Sequence, residues 1–283
     1  MKRLRLSVLA VLAGGALHLP AHASSEAQDR AAGQLVEQIH MGESIYRDDL
    51  IQDAVRRLYR IAPEHPEGLA AELRLAVQRG RMDQAQALLA RLKAAAPESD
   101  AYRQGEALLR LSSGPAAETL TRARLYSAAG RVDEARKAYD EVFQGVYPPA
   151  DLALEYWQLR AREAGGRPAA VQALTALLRA YPRHAGLLSA LAGHSFNDGD
   201  PERGLEYLRR LARQPAQRET AANREYEYLS TLPTGAESVA ALRSFIERYP
   251  DLAVAGRARD RLSHQAALLA DPAWRGGREA LRL

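Results

Sequence analysis

A glycine recurs along this chain with the same followers at the same distances, and that spacing leaves little choice of fold. Gly80 is followed by Ala85, Leu89, Leu92 and Pro97, and Gly165 by Ala170, Leu174, Leu177 and Pro182. Gly130 leads to Ala135, Tyr139, Val142 and Tyr147-Pro148, while Gly199 leads to Gly204, Leu208, Leu211 and, one residue early, Pro215. A residue without Cβ enters the left-handed conformation cheaply, so each glycine ends a helix. The small residue five positions on faces that helix where the two backbones approach closely. A large side chain at Ala135 would overpack the contact at a cost of about 1–3 kcal/mol. The two apolar residues beyond it share one helical face. The proline lacks an N–H and disfavours helix in the residue before it, so it closes the second helix.

The terminal prolines count the units. Pro63 to Pro97 and Pro148 to Pro182 are each 34 residues, Pro182 to Pro215 is 33 and Pro215 to Pro250 is 35. This is the period of a tetratricopeptide (TPR) unit, a helix–turn–helix repeat of about 34 residues. Pro97 to Pro148 is 51 residues, so one interval holds a repeat plus an extra piece. That piece reads as a helix near Ala101–Leu111, broken by Ser112-Ser113-Gly114-Pro115. No run alternates polar and apolar in the manner of a strand. The expected fold is all-α, a TPR solenoid of about six helix pairs with an irregular helical insertion after the second.

The N-terminus reads as an export leader. Lys2, Arg3 and Arg5 precede an apolar Leu6–Leu19 stretch, and Ala21-His22-Ala23 is a small-x-small cleavage site. The expected divisions are a signal peptide over 1–23, an N-terminal stack over 24–111, a linker or hinge over 112–118, a second stack over 119–264 and a C-terminal segment over 265–283. The formal net charge is +4, and subtracting the three basic leader residues leaves about +1. The basic balance is therefore no nucleic-acid footprint. With no cysteine, the chain has no disulfide, thiolate metal site or thiol chemistry.

The residues offer no catalytic or metal constellation and imply no cofactor. His40, His65, His184, His194 and His264 form no close pair at metal-ligand spacing. Asn197-Asp198-Gly199-Asp200 lacks the alternation and distal glutamate of a calcium loop, and fits the repeat instead. There Gly199 ends one helix, Asp200 caps the next and Pro201 takes its first position. Glycans are commonly held on aromatic faces, which draws attention to Tyr156, Trp157, Phe196, Tyr226 and Tyr228. Yet aromatic residues make up only 6% of the chain, and Trp157 falls at a core position of the repeat.

Three stretches carry a more specific resemblance: Gln38–Pro63 (QIHMGESIYRDDLIQDAVRRLYRIAP), Ala150–Leu178 (ADLALEYWQLRAREAGGRPAAVQALTALL) and Gln265–Arg275 (QAALLADPAWR). In order and spacing they resemble the N-terminal TPR region of the cellulose synthase operon protein C family, with Glu155-Tyr156-Trp157 and Leu269-Ala270-Asp271-Pro272-Ala273 the most particular. The resemblance implies a non-enzymatic periplasmic scaffold in bacterial cellulose secretion, linking the synthase complex to an outer-membrane pore. Implied partners are synthase-complex or other envelope proteins, with the β-1,4-glucan chain as a further candidate. In that family the membrane is reached through a C-terminal β-barrel, which this sequence does not contain, so it reads as an N-terminal portion. Two alternatives stand beside this reading: an adaptor of another exopolysaccharide export system, and a weak β-1,4-glucan-binding module.

A solenoid meets its partners on its concave side, which the first helices line. Stepping back from each turn by the repeat register gives Arg74, Gln78, Arg124, Glu155, Arg162, Asn197, Asn223 and Glu227 as candidate lining residues. The expected framework positions are Gly80, Ala85, Pro97, Gly130, Ala135, Gly165, Ala170, Pro182, Gly199 and Gly204.

Overall fold

The structure is a computed structural model that describes residues 21–271. The expected leader lies outside the described residues except for 21–23, and so does the segment after Asp271. Among the described residues, six helix pairs follow one another. They are α1 (Ala21–Ser44) with α2 (Asp48–Ile61), α3 (Pro66–Gln78) with α4 (Met82–Ala95), and α6 (Gly114–Ala128) with α7 (Val132–Phe143). Beyond these come α8 (Asp151–Arg160) with α9 (Arg167–Ala180), α10 (Ala185–Asn197) with α11 (Pro201–Ala212), and α12 (Arg218–Thr231) with α13 (Ala236–Arg248). Two described helices stand without a partner of their own unit, α5 (Asp100–Leu111) and α14 (Ala253–Ala270). No strand occurs among the described residues.

The repeat chemistry operates as its spacing requires. Gly80, Gly130, Gly165 and Gly199 adopt φ of +68°, +74°, +73° and +76°, and an added Cβ would meet nothing within 4 Å at any of them. Their role is conformational, since only the left-handed turn demands glycine there. Ala85, Ala135 and Ala170 are fully buried at the crossing of the two helices of a pair. Gly204 fills the same place, where a Cβ would come within 2.8 Å of the Phe196 ring. The second helices stop two residues before their proline at Ile61, Ala95, Ala180 and Arg248. Helix α11 stops three residues before Pro215, at Ala212, and α7 ends five residues before Pro148, because Gln144 and Gly145 both turn left-handed at φ of +51° and +81°. Between units the apolar faces join: Leu58, Leu69, Leu73, Leu92 and Leu174 are all at 0% exposure. Each such leucine contributes roughly 1.5–3 kcal/mol of burial.

The interruption falls where the long interval places it, but it is short. Helix α5 packs on α3 and α4 as the first helix of the next unit would. No second helix follows. Only Ser112 and Ser113 separate it from α6, whose first residue is Gly114 at φ +68°. Residues 114–118 of the expected linker are therefore helical. One unpaired helix shifts the alternation of first and second helices between the two stacks.

The second stack also touches the first directly. Tyr46, in the turn between α1 and α2, donates its hydroxyl to Asp151 Oδ1 at 2.8 Å. The buried ring of His184 lies beside them, with Nε2 3.1 Å from the same carboxylate oxygen. His184 Nδ1 accepts the backbone N–H of Leu187 and so caps α10. The ring proton therefore sits on Nε2 and is donated to Asp151. Next to this contact the ring of His40 packs on Tyr181 at 5.0 Å.

Candidate functional site

Along the inner side of the solenoid, polar side chains on successive first helices meet one another at sequence separations of 31 to 35 residues. Arg74 of α3 donates to Glu43 of α1 at 2.6 Å. Arg124 of α6 grips Glu155 of α8 with two bonds of 2.8 and 3.0 Å. Arg162, just past α8, reaches the Ser127 carbonyl at 3.2 Å, and Arg224 of α12 reaches the Ser189 carbonyl at 3.3 Å. Arg257 of α14 donates to Asn223 of α12 at 2.6 Å. Residues one repeat apart lie side by side on parallel helices, and a long guanidinium spans the gap between them.

Among the described residues, no arginine bridges α8 to α10. Asp151 and His184 join only the N-terminal ends of these helices, and towards the other end a groove of about 1220 Å³ opens. Its lining comes from Ser127 of α6, Glu155 and Gln158 of α8, Arg162, Ser189, Gly193, His194 and Asn197 of α10, and Arg224 of α12. Gly193 and Ala190 keep its floor low. Burial pushes the His194 imidazole below its ordinary range, and the nearby Arg167 guanidinium adds to that. Its Nδ1 is buried with no hydrogen-bond partner among the described residues. Behind the groove, burial and the Glu155 carboxylate raise the Tyr139 phenol.

The eight residues chosen by register fall in three places. Glu155, Arg162 and Asn197 line the groove together, and Arg124 stands beside it holding Glu155. Asn223 and Glu227 lie further along α12, Asn223 tied to Arg257 and Glu227 exposed. Arg74 and Gln78 line a separate small pocket of about 60 Å³ with Tyr46, Asp151, Tyr181 and His184. On the first stack, then, the inner face is covered by the second stack, and Arg74 is mostly buried against Glu43.

Gln158, Ser189, His194 and Arg224 belong to the groove although register alone does not select them. The signal that finds Arg224 is its separation of 35 residues from Ser189, which Arg162 repeats with Ser127. Among the described residues, no Phe, Tyr or Trp side chain lines the groove. Trp157 is partly buried against Tyr147 and Tyr156, and Phe196 stacks on Tyr228 at 5.0 Å. No group of three or more potential metal ligands gathers among the described residues. Nor is any described helix long and apolar enough to cross a membrane. Leu159, Ala161, Ala164, Pro168 and Ala190 share the lining with polar side chains that offer hydrogen bonding and charge.

No family model matches the chain. Individual proteins do. Cellulose synthase operon protein C of Salmonella typhimurium is 34% identical over 269 residues, which is 95% of this chain and 22% of that protein. The Escherichia coli protein of the same name is 33% identical over 256 residues, covering 90% of this chain and again 22% of its relative. The chain thus spans about a fifth of the length of these curated relatives. Among solved structures, the flexible tandem repeat domain of a bacterial cellulose synthase superposes with a TM-score of 0.65 at 35% identity. The superposition takes in 85% of this chain and 99% of that domain. An all-helical TPR stack with an unpaired fifth helix, aligned over the whole of that repeat domain, belongs to the cellulose synthase operon protein C family as a tandem-repeat region of it.

Proposed function

We propose that this chain is a non-enzymatic periplasmic scaffold of a cellulose-secreting machine, holding the synthase complex in line with the outer-membrane export pore. The observation that carries the reading is the open groove of mixed polar and apolar lining on the inner side of the second stack, in a chain similar to cellulose synthase operon protein C over 95% of its length. Extended helical stacks use such concave surfaces to hold partners. The basic leader with its small-x-small cleavage site supports export. Protein recognition is favoured over a path for the polymer itself, because a sliding glucan is gripped best by the faces of Trp, Tyr and Phe, and the described lining has none of these.

In the native host, deleting the chain should abolish extracellular cellulose while synthase activity persists in isolated membranes. Affinity capture of the tagged chain from crosslinked cells should recover synthase-complex or outer-membrane export proteins. Unchanged cellulose secretion, or recovery of proteins of a different exopolysaccharide system alone, would overturn the assignment.

A further inference from the structure

Among the described residues, every carboxylate in the groove is already matched. Glu155 accepts from Arg124, Glu163 pairs with Arg160 at 2.7 Å and Arg136 at 3.2 Å, and Asp198 pairs with Arg167 at 3.1 Å. Of these arginines, three (Arg124, Arg136 and Arg160) stand outside the lining and bring charge to it from behind. Two cations that face the opening are not matched in return. Among the described residues Arg162 meets only Ser127, through its carbonyl at 3.2 Å and its hydroxyl at 3.5 Å. Arg224 meets only Ser189 among them, again through carbonyl and hydroxyl. Both guanidiniums are fixed in place by neutral acceptors and keep donors free, which is the state of an arginine prepared for an anion. Between them lies His194 with its unpartnered Nδ1.

We infer that this groove binds an extended acidic polypeptide segment, with Arg162 and Arg224 as its carboxylate anchors. The groove's length fits a peptide. It runs from α6 to α12 across three inter-helix steps of about 10 Å each, or roughly 30 Å. An extended chain at about 3.3 Å per residue covers that with about nine residues. The other lining groups suit a backbone. Gln158 and Asn197 each offer an amide donor and acceptor, and Gly193 lets a main chain approach closely. Because the chain without its leader carries only about +1, the attraction is local to this groove rather than a property of the whole surface.

The inference rests on the scaffold reading and names the chemistry of its partner. The test uses the full chain and a fluorescent nonapeptide of alternating glutamate and serine, followed by anisotropy. Saturable binding is expected, weakening about tenfold as salt rises from 50 to 300 mM. Arg162→Gln with Arg224→Gln should weaken it about tenfold or more, while the double lysine variant retains most of it. In the unaltered chain, saturating peptide should raise the His194 titration midpoint seen by NMR, a readout that needs no variant to fold. No saturable binding, equal affinity in the double glutamine variant, an unmoved His194, or displacement by cellohexaose would each overturn the inference. A chain still required for cellulose secretion but blind to the peptide would lose this inference and keep the scaffold assignment.

Discussion

Tyr46 and Asp151 are 105 residues apart, yet the tyrosine hydroxyl donates to the aspartate at 2.8 Å and joins the first and second stacks. Tyr46 sits at φ +53°, a left-handed backbone that a bulky residue adopts at some cost. Burial and the Asp151 carboxylate push its phenol well above the ordinary range, so at any physiological pH it remains a donor. The joint at Ser112-Ser113 is only two residues long, and the contact at Tyr46 holds its far side.

Tyr46→Phe should therefore loosen the two stacks without unfolding either. The chain has no cysteine, so a single pair of introduced cysteines at Arg60 and Arg179 reports the distance across the joint by spin labels. The unaltered chain should give one narrow distance distribution, and the variant a broader one with a longer component. With Tyr46 59% exposed, loss of the bond is worth about 0.5–1 kcal/mol, or a few-fold change in population. Identical distributions would mean that packing of His40 on Tyr181 holds the contact by itself.

Acid should act on the same contact. Hydrogen bonds from His184 and then Tyr46 hold the Asp151 carboxyl below its ordinary range. For a carboxyl depressed by folding, the stabilisation is full above the unfolded value near 4 and disappears as pH falls through the folded value. The spin-label distance should stay constant from pH 7 to 5 and lengthen below about pH 4. Its side chain is 65% exposed, so the change is small and salt-sensitive. Asp151→Asn should already be longer at pH 7 and show little further change. The carboxyls of Asp49 and Asp251, held at about 2 by Arg47 and Arg218, lie away from this contact.

Within the second stack the most vulnerable polar group is Glu225 of α12. It is 1% exposed, accepts from Arg248 at 2.5 Å and from the Tyr249 hydroxyl at 3.0 Å, and ties α12 to the end of α13. Burial and this carboxylate push the Tyr249 phenol up to about 12. Glu225→Ala leaves the buried Tyr249 phenol and the half-buried Arg248 guanidinium without this acceptor, and should cost about 2 kcal/mol in urea unfolding. Tyr249→Phe removes one bond and should cost about 1 kcal/mol. A Glu225→Ala effect below that of Tyr249→Phe would contradict the arrangement.

The repeat frame was legible because it is local chemistry. Gly130 needs its left-handed turn and Ala135 its close crossing whatever the rest of the chain does. Arg162, Glu155 and Asn197 could be placed on the inner face from the same register. Arg74 and Gln78 could not be placed correctly as open lining, because what covers them comes from Tyr181 and His184 in another stack. That contact depends on small rotations between units, which a periodic pattern does not record. The capping role of His184 has a local mark. His65, Ser99 and His184 each stand two residues after a terminal proline, and each side chain caps the helix that follows.

Two glycines of one unit separate conformation from packing. Gly199 has φ +76° and open space around its missing Cβ, so Gly199→Ala should cost about 1 kcal/mol through the backbone alone. Gly204 is helical, and its alanine would press on Phe196 Cε1 at 2.8 Å and Cζ at 2.9 Å. That ring cannot retreat freely, because it stacks on Tyr228. Gly204→Ala should cost about 1–2 kcal/mol, and Phe196→Leu should relieve most of it, giving a coupling of about 1 kcal/mol in a double-mutant cycle. Gly199→Ala should show no coupling to Phe196→Leu beyond about 0.3 kcal/mol. Equal coupling for the two glycines would mean that position 204 is small for some reason other than the Phe196 contact.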